Sequence, residues 1–412
     1  MSDRVLVIGG GIAGIQAALD LVESGAKVTL VEKGATIGGK MAVLDKNFPT
    51  LDCSICIEAP KMSEVGQHPN IELLRLAQVE AVEGEAGAFT VTIRQRADFV
   101  TDLCTRCAEC VPVCPVLLPN EYEAGIASRK AIYTPIPQAV PGPYVIDLEH
   151  CLNEPPNYFP CDRCYQACSP GAIDFFMPLE RVVRREVAAI IVATGFEMLD
   201  PSLMPELGYG RHPDVLTSLE FERLLTSAGP TGGEIVCPSD GRHTHSILFV
   251  LCVGSRDRRF FRHCSRFCCM YSRFCCMYSI KHAFQAVDHG VADVRVMYMD
   301  VRAYGKGFDA FFHRTRERGV QFIRGRPALV QPNGRGLEVR FEDTATGSLE
   351  TMTVDMVVLA PAVRPPQDLR QLAQVLKVDV DEDGFLAARE MRGWAHRHLP
   401  AWHLRCRVCH WP

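Results

Sequence analysis

The first 32 residues constrain the fold of this chain more than any other segment. Residues 5–8 form a continuous apolar run, which is typical of a buried parallel strand. Gly9, Gly11 and Gly14 then make the pattern G-x-G-x-x-G at the start of a helical segment, and a second apolar strand ends at Glu32. In such a unit the backbone approaches a pyrophosphate at the helix N-terminus, and the acidic residue holds ribose hydroxyls. The segment therefore predicts a dinucleotide-binding α/β domain.

Two flanking segments favour FAD over NAD as the dinucleotide. GGK directly follows the acidic strand, and ATG follows a strand predicted at residues 187–196. Both segments resemble flavoproteins with two dinucleotide-binding domains, in which an Ala-Thr-Gly segment returns the chain to the FAD domain. The predicted FAD-binding residues are Gly9, Gly11, Ile12, Ala13, Gly14, Glu32, Lys33, Gly39, Lys40, Thr194 and Gly195.

The 19 cysteines indicate metal or redox chemistry rather than structural disulfides. The chain shows no secretory signal and no apolar run near the roughly 20 residues of a membrane helix, so we expect it in the cytoplasm, where disulfides are rare. C-x2-C units in such a compartment are typical of metal or redox sites. The net charge of −5 gives no reason to expect a nucleic-acid partner. Cys237 stands alone and receives no role.

Residues 96–175 are predicted to form a ferredoxin-like insert with two [4Fe–4S] clusters. CTRCAECVPVCP has the C-x2-C-x2-C-x3-C-P spacing of bacterial ferredoxins, in which the fourth cysteine ligates the other cluster. A partner run lies at residues 151–168, with a longer gap after its first cysteine. Zinc also uses C-x2-C units but does not account for the whole run. The predicted ligands are Cys104, Cys107, Cys110 and Cys168 for one cluster, and Cys114, Cys151, Cys161 and Cys164 for the other.

A tandem copy of SRFCCMY occupies residues 265–271 and 272–278. It follows CVGSRD, which stands where a pyridine-nucleotide flavoprotein would carry a second glycine loop, so we expect no nicotinamide site there. If both copies are helical, they point to nearly the same face and lie roughly 10 Å apart along the helix axis. One cluster cannot take ligands from both copies at that separation, and we attribute the identical repeat to a recent duplication or an assembly error.

Four features together resemble the A subunit of heterodisulfide reductase and its relatives in anaerobes. They are the FAD glycine loop, LDCSICIEAPKM at residues 51–62, the insert, and CVGSRD followed by CSR-x-CCMYSIKHA. The resemblance covers residues 1 to about 390 and implies a further [4Fe–4S] cluster near the flavin. By position, its ligands would be Cys252, Cys264, Cys268 and Cys269. The first copy is favoured over the second because it keeps the family spacing from Cys264.

The resemblance also implies a function: an FAD and iron–sulfur electron-transfer subunit of a heterodisulfide-reductase-like complex. FAD would take electron pairs from a hydrogenase, formate or nicotinamide module. It would send single electrons toward ferredoxin and toward the disulfide-reducing B and C subunits or a quinone-linked partner, with the chain as a homodimer in the complex. Two alternatives remain open. One is an NAD(P)H-dependent disulfide oxidoreductase with Cys53 and Cys56 as the redox pair; the other is a non-catalytic electron-relay scaffold.

The predicted fold is therefore α/β, a thioredoxin-reductase-like fold with two dinucleotide-binding domains and an inserted two-cluster ferredoxin domain. The predicted parts are the FAD domain at 1–95, 176–229 and 351–390, the insert at 96–175, and a degenerate second dinucleotide domain at 230–350. Residues 391–412 depart from the family and hold all three Trp. CRVCH within them matches the haem c attachment signal, which requires export. We attribute this tail to a shifted reading frame near residue 390.

Overall fold

The computed structural model describes residues 3–153, 160–262, 264, 274–334, 336–387 and, for the backbone, 403–405. Cys268 and Cys269, with the whole first SRFCCMY copy, lie outside these ranges, as does the CRVCH segment. The described chain forms two units, each described by itself below. The first unit comprises Met1–Val43, Ile55–Gly195 and Pro366–Pro412, and the second comprises Leu44–Ser54 and Phe196–Pro365.

The described residues form both α-helices and β-strands, as expected for an α/β protein. The helices are α1 (Ile12–Glu23), α2 (Ser54–Gln67), α3 (Cys110–Val113), α4 (Arg163–Gln166), α5 (Ser218–Leu225), α6 (Phe274–Asp288), α7 (Phe308–Glu317) and α8 (Leu369–Val375). The first eleven strands are β1 (Arg4–Ile8), β2 (Lys27–Val31), β3 (Ile71–Leu74), β4 (Ala77–Glu85), β5 (Ala88–Arg96), β6 (Leu118–Pro119), β7 (Ser128–Arg129), β8 (Ile132–Tyr133), β9 (Val145–Ile146), β10 (Glu180–Val187) and β11 (Ala189–Val192). The others are β12 (Glu197–Met198), β13 (Val215–Thr217), β14 (Ser246–Val253), β15 (Asp293–Tyr298), β16 (Gln321–Asn333), β17 (Gly336–Asp343), β18 (Ser348–Val354), β19 (Met356–Pro361), β20 (Val363–Arg364) and β21 (His403–Arg405).

A parallel sheet in the order β21-β11-β1-β2-β3 forms the centre of the first unit. Val7 is fully buried in β1 and pairs with Leu30 of β2 and with Ile191 of β11. The apolar run at residues 5–8 is thus a central strand, and the predicted α/β class with a parallel sheet is confirmed. Helix α1 follows β1 directly, so its N-terminus lies at the carboxyl end of the sheet, where α/β folds bind ligands.

The insert leaves and rejoins the first unit at one end of an antiparallel pair. Arg96, the last residue of β5, pairs with Glu180, the first residue of β10, so the insert occupies residues 97–179. Its two halves are joined where Thr101 N donates to Ala172 O at 2.7 Å and Asp174 N donates to Phe99 O at 3.0 Å. The small core of the insert combines apolar side chains with buried cysteines, which places the thiols inside it.

The second unit is built on a seven-stranded sheet in the order β13-β19-β14-β15-β16-β17-β18. The pairs from β13 to β16 are parallel, and β16, β17 and β18 pair antiparallel. Helix α6 contains the second Cys-Cys pair and the SIKHA segment, and nearly all its side chains are buried. Helix α5 begins with a capping box, in which the Thr217 side chain accepts from Glu220 N and the Glu220 side chain accepts from Thr217 N. Within the described ranges, no helix has the length and apolarity that a membrane span requires.

Candidate functional site

The glycine loop of the first unit leaves an uncapped helix N-terminus. Gly9 has a φ of +105°, and a Cβ there would overlap Ala193 O. A Cβ on Gly14 would overlap Gly9 O, so glycine is what lets α1 approach β1 so closely. Gly11 is the N-cap of α1, and it offers no side chain to the free amides of the first turn, which begins with Ile12. That turn also holds no acidic residue, so the N-terminus can accept an anion such as a pyrophosphate.

Other predicted FAD residues lie around this loop. Gly38 N donates to Gly10 O at 2.7 Å, and a Cβ on Gly39 would lie 2.9 Å from Gly11 Cα, so the GGK segment lies on the loop. Thr194 and Gly195 follow β11, the strand beside β1, after the single residue Ala193. Lys33 follows Glu32, and its exposed ammonium group pairs with Asp368 Oδ2 at 2.6 Å.

The Glu32 carboxylate is held by backbone amides next to the loop. Oε2 accepts from Gly10 N and Oε1 accepts from Gly34 N, both at 2.6 Å. Burial raises the pKa of Glu32 above its ordinary value, and these amide hydrogen bonds oppose the rise. The carboxylate thus lies where the sequence predicts a ribose-binding acid. The glycine loop, open helix end and acid together fit FAD.

The insert is attached to the segment that follows Glu32, which the sequence did not suggest. Thr36 Oγ1 accepts from Val140 N at 2.9 Å, and Ile37 N donates to Val140 O at 3.1 Å. Arg75 is buried and donates to three backbone carbonyls, of Ala35, Pro141 and Pro143, at 3.2 to 3.4 Å. Its guanidinium also pairs with Asp98 Oδ2 at 2.8 Å. Side chains of the first unit thereby fix residues 35–37 against the insert.

The first four predicted cluster ligands come together in the insert. Cys104, Cys107, Cys110 and Cys168 line one small cavity, together with apolar side chains such as Ile132 and Ile173. Burial raises the pKa of the Cys110 thiol to about 11, and the neighbouring Cys104, Cys168 and Cys107 add to the rise. Thiolates are therefore costly here without cations, and iron would supply the compensating positive charge.

The second four predicted ligands form a separate group. Burial raises the pKa of the Cys164 thiol to about 12, and the neighbouring Cys151, Cys114 and Cys161 add to the rise. The two groups contain the cysteines that the ferredoxin pattern assigns to each cluster. In the described part of the chain, no three His, Cys, Asp or Glu side chains are placed to hold a metal ion. A cubane differs from a single ion because each thiolate binds a different iron, so its ligands stand farther apart.

A third group of cysteines lies in the second unit and includes the second SRFCCMY copy. Cys252 is buried at the end of β14 with a φ of +61°. Burial raises the pKa of its thiol well above the ordinary value, and Cys276 and Cys264 add to the rise. The structure therefore brings Cys276 to the two predicted ligands Cys252 and Cys264. Cys268 and Cys269, which the sequence favoured, lie outside the described residues.

A buried ionic cluster joins α5 and α6 in the second unit. Lys281 Nζ donates to both carboxylate oxygens of Glu222, at 2.6 and 2.7 Å, and also to Lys46 O at 2.8 Å. His282 Nε2 makes a further hydrogen bond with Glu222 Oε2, and Asp45 N donates to Oε1 at 2.8 Å. Burial acts to raise the pKa of Glu222, but the charges of Lys281 and His282 outweigh it and hold that pKa well below its ordinary value. No sequence pattern had indicated this cluster.

The C-x2-C pair of the LDCSICIEAPKM segment is in its oxidised form. Cys53 and Cys56 are both disulfide-bonded. Helix α2 begins at Ser54, so Cys56 lies in its first turn. Cysteines at helix N-termini are often redox-active, because the helix dipole stabilises the thiolate.

Comparisons with known proteins show similarity to a family model, to curated relatives by sequence and to solved structures. A model of the family described as FAD dependent oxidoreductase matches residues 4–45. The iron-sulfur A subunit of the CoB–CoM heterodisulfide reductase of Methanocaldococcus jannaschii is 46% identical over 385 residues, covering 92% of this chain and 56% of that protein. The A subunit of the H2:CoB–CoM heterodisulfide,ferredoxin reductase of Methanothermobacter thermautotrophicus is 45% identical, covering 94% of this chain and 57% of that protein. The chain thus spans little more than half the length of the curated relatives it matches. Lactococcus lactis thioredoxin reductase aligns with a TM-score of 0.48 at 14% identity, covering 94% of this chain and 86% of that one.

Proposed function

This chain is a homologue of the A subunits of CoB–CoM heterodisulfide reductases, and on that premise we propose that it is an FAD and iron–sulfur electron-transfer oxidoreductase subunit of such a complex. One observation carries the proposal: the first unit combines an open dinucleotide loop with two groups of four cysteines. A flavin that takes electron pairs and clusters that take single electrons suit an exchange between the two kinds of transfer.

The first unit supplies the residues that would hold FAD. The amides at the start of α1 would bind the pyrophosphate, and Glu32 would bind ribose hydroxyls in place of its present amide partners. Glycine at positions 9 and 14 keeps the loop and the helix close to β1. Bound FAD would supply the exchange between electron pairs and single electrons.

For the further cluster, we infer that the second SRFCCMY copy supplies the ligands, beside Cys252 and Cys264. The support is that Cys276, like Cys264, lies close enough to the Cys252 thiol to raise its pKa. This departs from the sequence-based expectation, which favoured Cys268 and Cys269. Of the two identical copies, the second is the one whose cysteines lie in α6, which begins at Phe274.

A pair of matched variants tests this assignment. Cys276→Ser should lower the iron content of the anaerobically purified chain by about four irons and remove one cluster signal from its electron paramagnetic resonance spectrum. Cys269→Ser changes the equivalent residue of the first copy and should leave both measurements as in the wild type. The opposite result would restore the first copy as the source of the ligands.

The partners follow from the relatives' names, which mention heterodisulfide and ferredoxin. We propose that the donor is a hydrogenase, formate or nicotinamide module, and that electrons leave toward ferredoxin and toward the B and C subunits or a quinone-linked partner. We place this transfer in the cytoplasm, with the chain as a homodimer inside the complex. Reconstitution of the chain with candidate partners would identify which of them oxidise or reduce it.

The central experiment measures flavin and iron together in the anaerobically purified chain. We expect one FAD and about twelve irons per chain, corresponding to three cubane clusters. A stepwise dithionite titration should then take up five electrons, two by the flavin and one by each cluster. Iron without flavin would contradict the proposal and leave an electron-relay scaffold.

The disulfide state of Cys53 and Cys56 favours a second candidate, a disulfide oxidoreductase that works without partners. In that case NAD(P)H alone should reduce the flavin, and Cys53→Ser should abolish thiol release from a disulfide substrate. CVGSRD in place of a second glycine loop speaks against it. Flavin that NAD(P)H leaves oxidised would exclude this candidate.

A further inference from the structure

Glu58 is a fully buried acid on α2. Its relative exposure is 0%, and neither carboxylate oxygen has a hydrogen-bond partner among the described residues. An unpaired polar group in a protein interior costs free energy, and buried polar atoms are nearly always paired in folded proteins. One explanation for such an unpaired group is a ligand that forms the hydrogen bond which the protein does not supply.

The position of Glu58 on α2 points to the dinucleotide loop. Glu58, Met62 and Val65 recur at helical spacing and form the buried face of this helix in the first unit. Met62 lies against Gly38, since a Cβ there would lie 3.0 Å from its Sδ, and Gly38 N donates to Gly10 O of the loop. Glu58 lies one turn, about 6 Å, from Met62 along the same face. The helix face that lies against Gly38, beside the loop, therefore carries an acid with free hydrogen-bonding capacity.

The surroundings keep this acid un-ionised at neutral pH. Burial raises the pKa of Glu58 to about 8, and no charged side chain contributes to the shift. The nearby segments carry Lys40, Lys61 and Glu32 as charged groups. Lys61 donates to Gln16 Oε1 at 2.6 Å, and Glu32 accepts from backbone amides. A neutral carboxyl group offers one O–H donor and one carbonyl acceptor to a ligand.

We propose that the un-ionised carboxyl group of Glu58 donates a hydrogen bond to the FAD bound at the glycine loop. This role rests on the proposed FAD binding and adds a residue that the glycine motif does not contain. The cost of burying the acid without a partner in the FAD-free chain is then recovered when the cofactor binds. Glu58 would act as a binding residue that selects a polar cofactor atom.

Three variants of the full chain test this role by FAD affinity. Glu58→Leu fills a similar volume but removes the donor, and we expect the dissociation constant for FAD to rise about tenfold. The same variant should leave the FAD-free chain at least as stable as the wild type, because it removes an unpaired buried acid. Glu58→Gln keeps a donor and should bind FAD within a few-fold of the wild type. Glu64→Gln changes an exposed acid on the same helix and serves as the control.

The pH dependence separates the acid from its amide analogue. Wild-type FAD affinity should fall above pH 8, by up to tenfold per pH unit, because ionisation removes the donor. Glu58→Gln should show no such fall. Infrared spectroscopy gives a measurement that does not depend on Leu being tolerated. The carbonyl band of the protonated acid should shift when FAD binds to the wild type and be absent from Glu58→Gln.

Two results would overturn the inference. Unchanged FAD affinity in Glu58→Leu, or a carbonyl band that FAD does not move, would make Glu58 an un-ionised core residue without a ligand. Those results would leave the proposed function intact, because the wild type would still bind FAD. A wild-type chain that binds no FAD at all would overturn both.

Discussion

The ion pair between Lys281 and Glu222 allows a quantitative prediction about the second unit. Both side chains are 2% exposed, and Lys281 Nζ lies 2.6 Å and 2.7 Å from the two carboxylate oxygens. Lys281→Met keeps most of the side-chain volume but leaves the carboxylate buried without its cation. Breaking a buried pair from one side costs about 3–5 kcal/mol, because an uncompensated charge remains in a medium of low dielectric constant.

Hydrogen exchange measures this loss locally, which suits a chain of two units. Amides of α6 that exchange through opening of the second unit should exchange roughly two to four orders of magnitude faster in Lys281→Met.

The stability of the wild-type second unit should also depend on pH through Glu222. Since the pKa of Glu222 is held below its ordinary value of 4.5, the stability it contributes is present above that pH and is lost as the pH falls below it.

An exposed pair in the first unit supplies the matched control. Lys33 Nζ lies 2.6 Å from Asp368 Oδ2, but the two side chains are 60% and 43% exposed. Lys33→Met should therefore change stability by no more than about 1 kcal/mol. If Lys281→Met cost as little as Lys33→Met, the argument from burial would be refuted.

Three further predictions concern the first unit. Gly14→Ala should abolish FAD binding, measured as flavin content, because the new Cβ would overlap Gly9 O. Gly11→Ala should still fold, because its Cβ would come no closer than 3.9 Å to other atoms. Arg75→Met should lower the Tm of the unit, measured by calorimetry, because three backbone carbonyls lose their donor. The free energy of unfolding of this unit should fall as the pH rises from 4.5 to about 8, by about 5 kcal/mol at most, because Glu58 ionises at a lower pH in the unfolded chain than in the folded one. Denaturant titrations of Glu58→Gln should show no such dependence on pH.

Sequence motifs predicted those parts of the site whose residues lie close together in the chain. The strand–glycine loop–helix unit was predictable because its residues are consecutive and their contacts are local, such as that of Gly14 with Gly9 O. The strand predicted at residues 187–196 lies beside β1 as β11, shorter than expected, at Ala189–Val192. The ATG segment made that long-range pairing predictable, because it marks the return to the FAD domain.

The sequence favoured the first SRFCCMY copy only by its spacing from Cys264, because the residues of the two copies are identical. Our proposal for the second copy depends instead on the start of α6 and on the effect of Cys276 on Cys252, and packing of the second unit sets both. Glu58 was equally hidden, since a single acid within a helical segment has no pattern of its own. Its burial appears once the phase of α2 against the glycine loop is known.

The attachment of the insert to residues 35–37 bears on how the cofactors depend on one another. The core of the insert includes buried Cys114, Cys151 and Cys164, so without clusters this core would consist partly of thiols that lack their natural partners. The insert is in turn fixed through Val140 to Thr36, in the segment that follows Glu32, the predicted ribose-binding acid. Order in the insert and order at the FAD loop are therefore parts of one folded unit. We therefore expect cluster loading to stabilise the FAD loop by the same linkage that lets any ligand stabilise the fold that binds it.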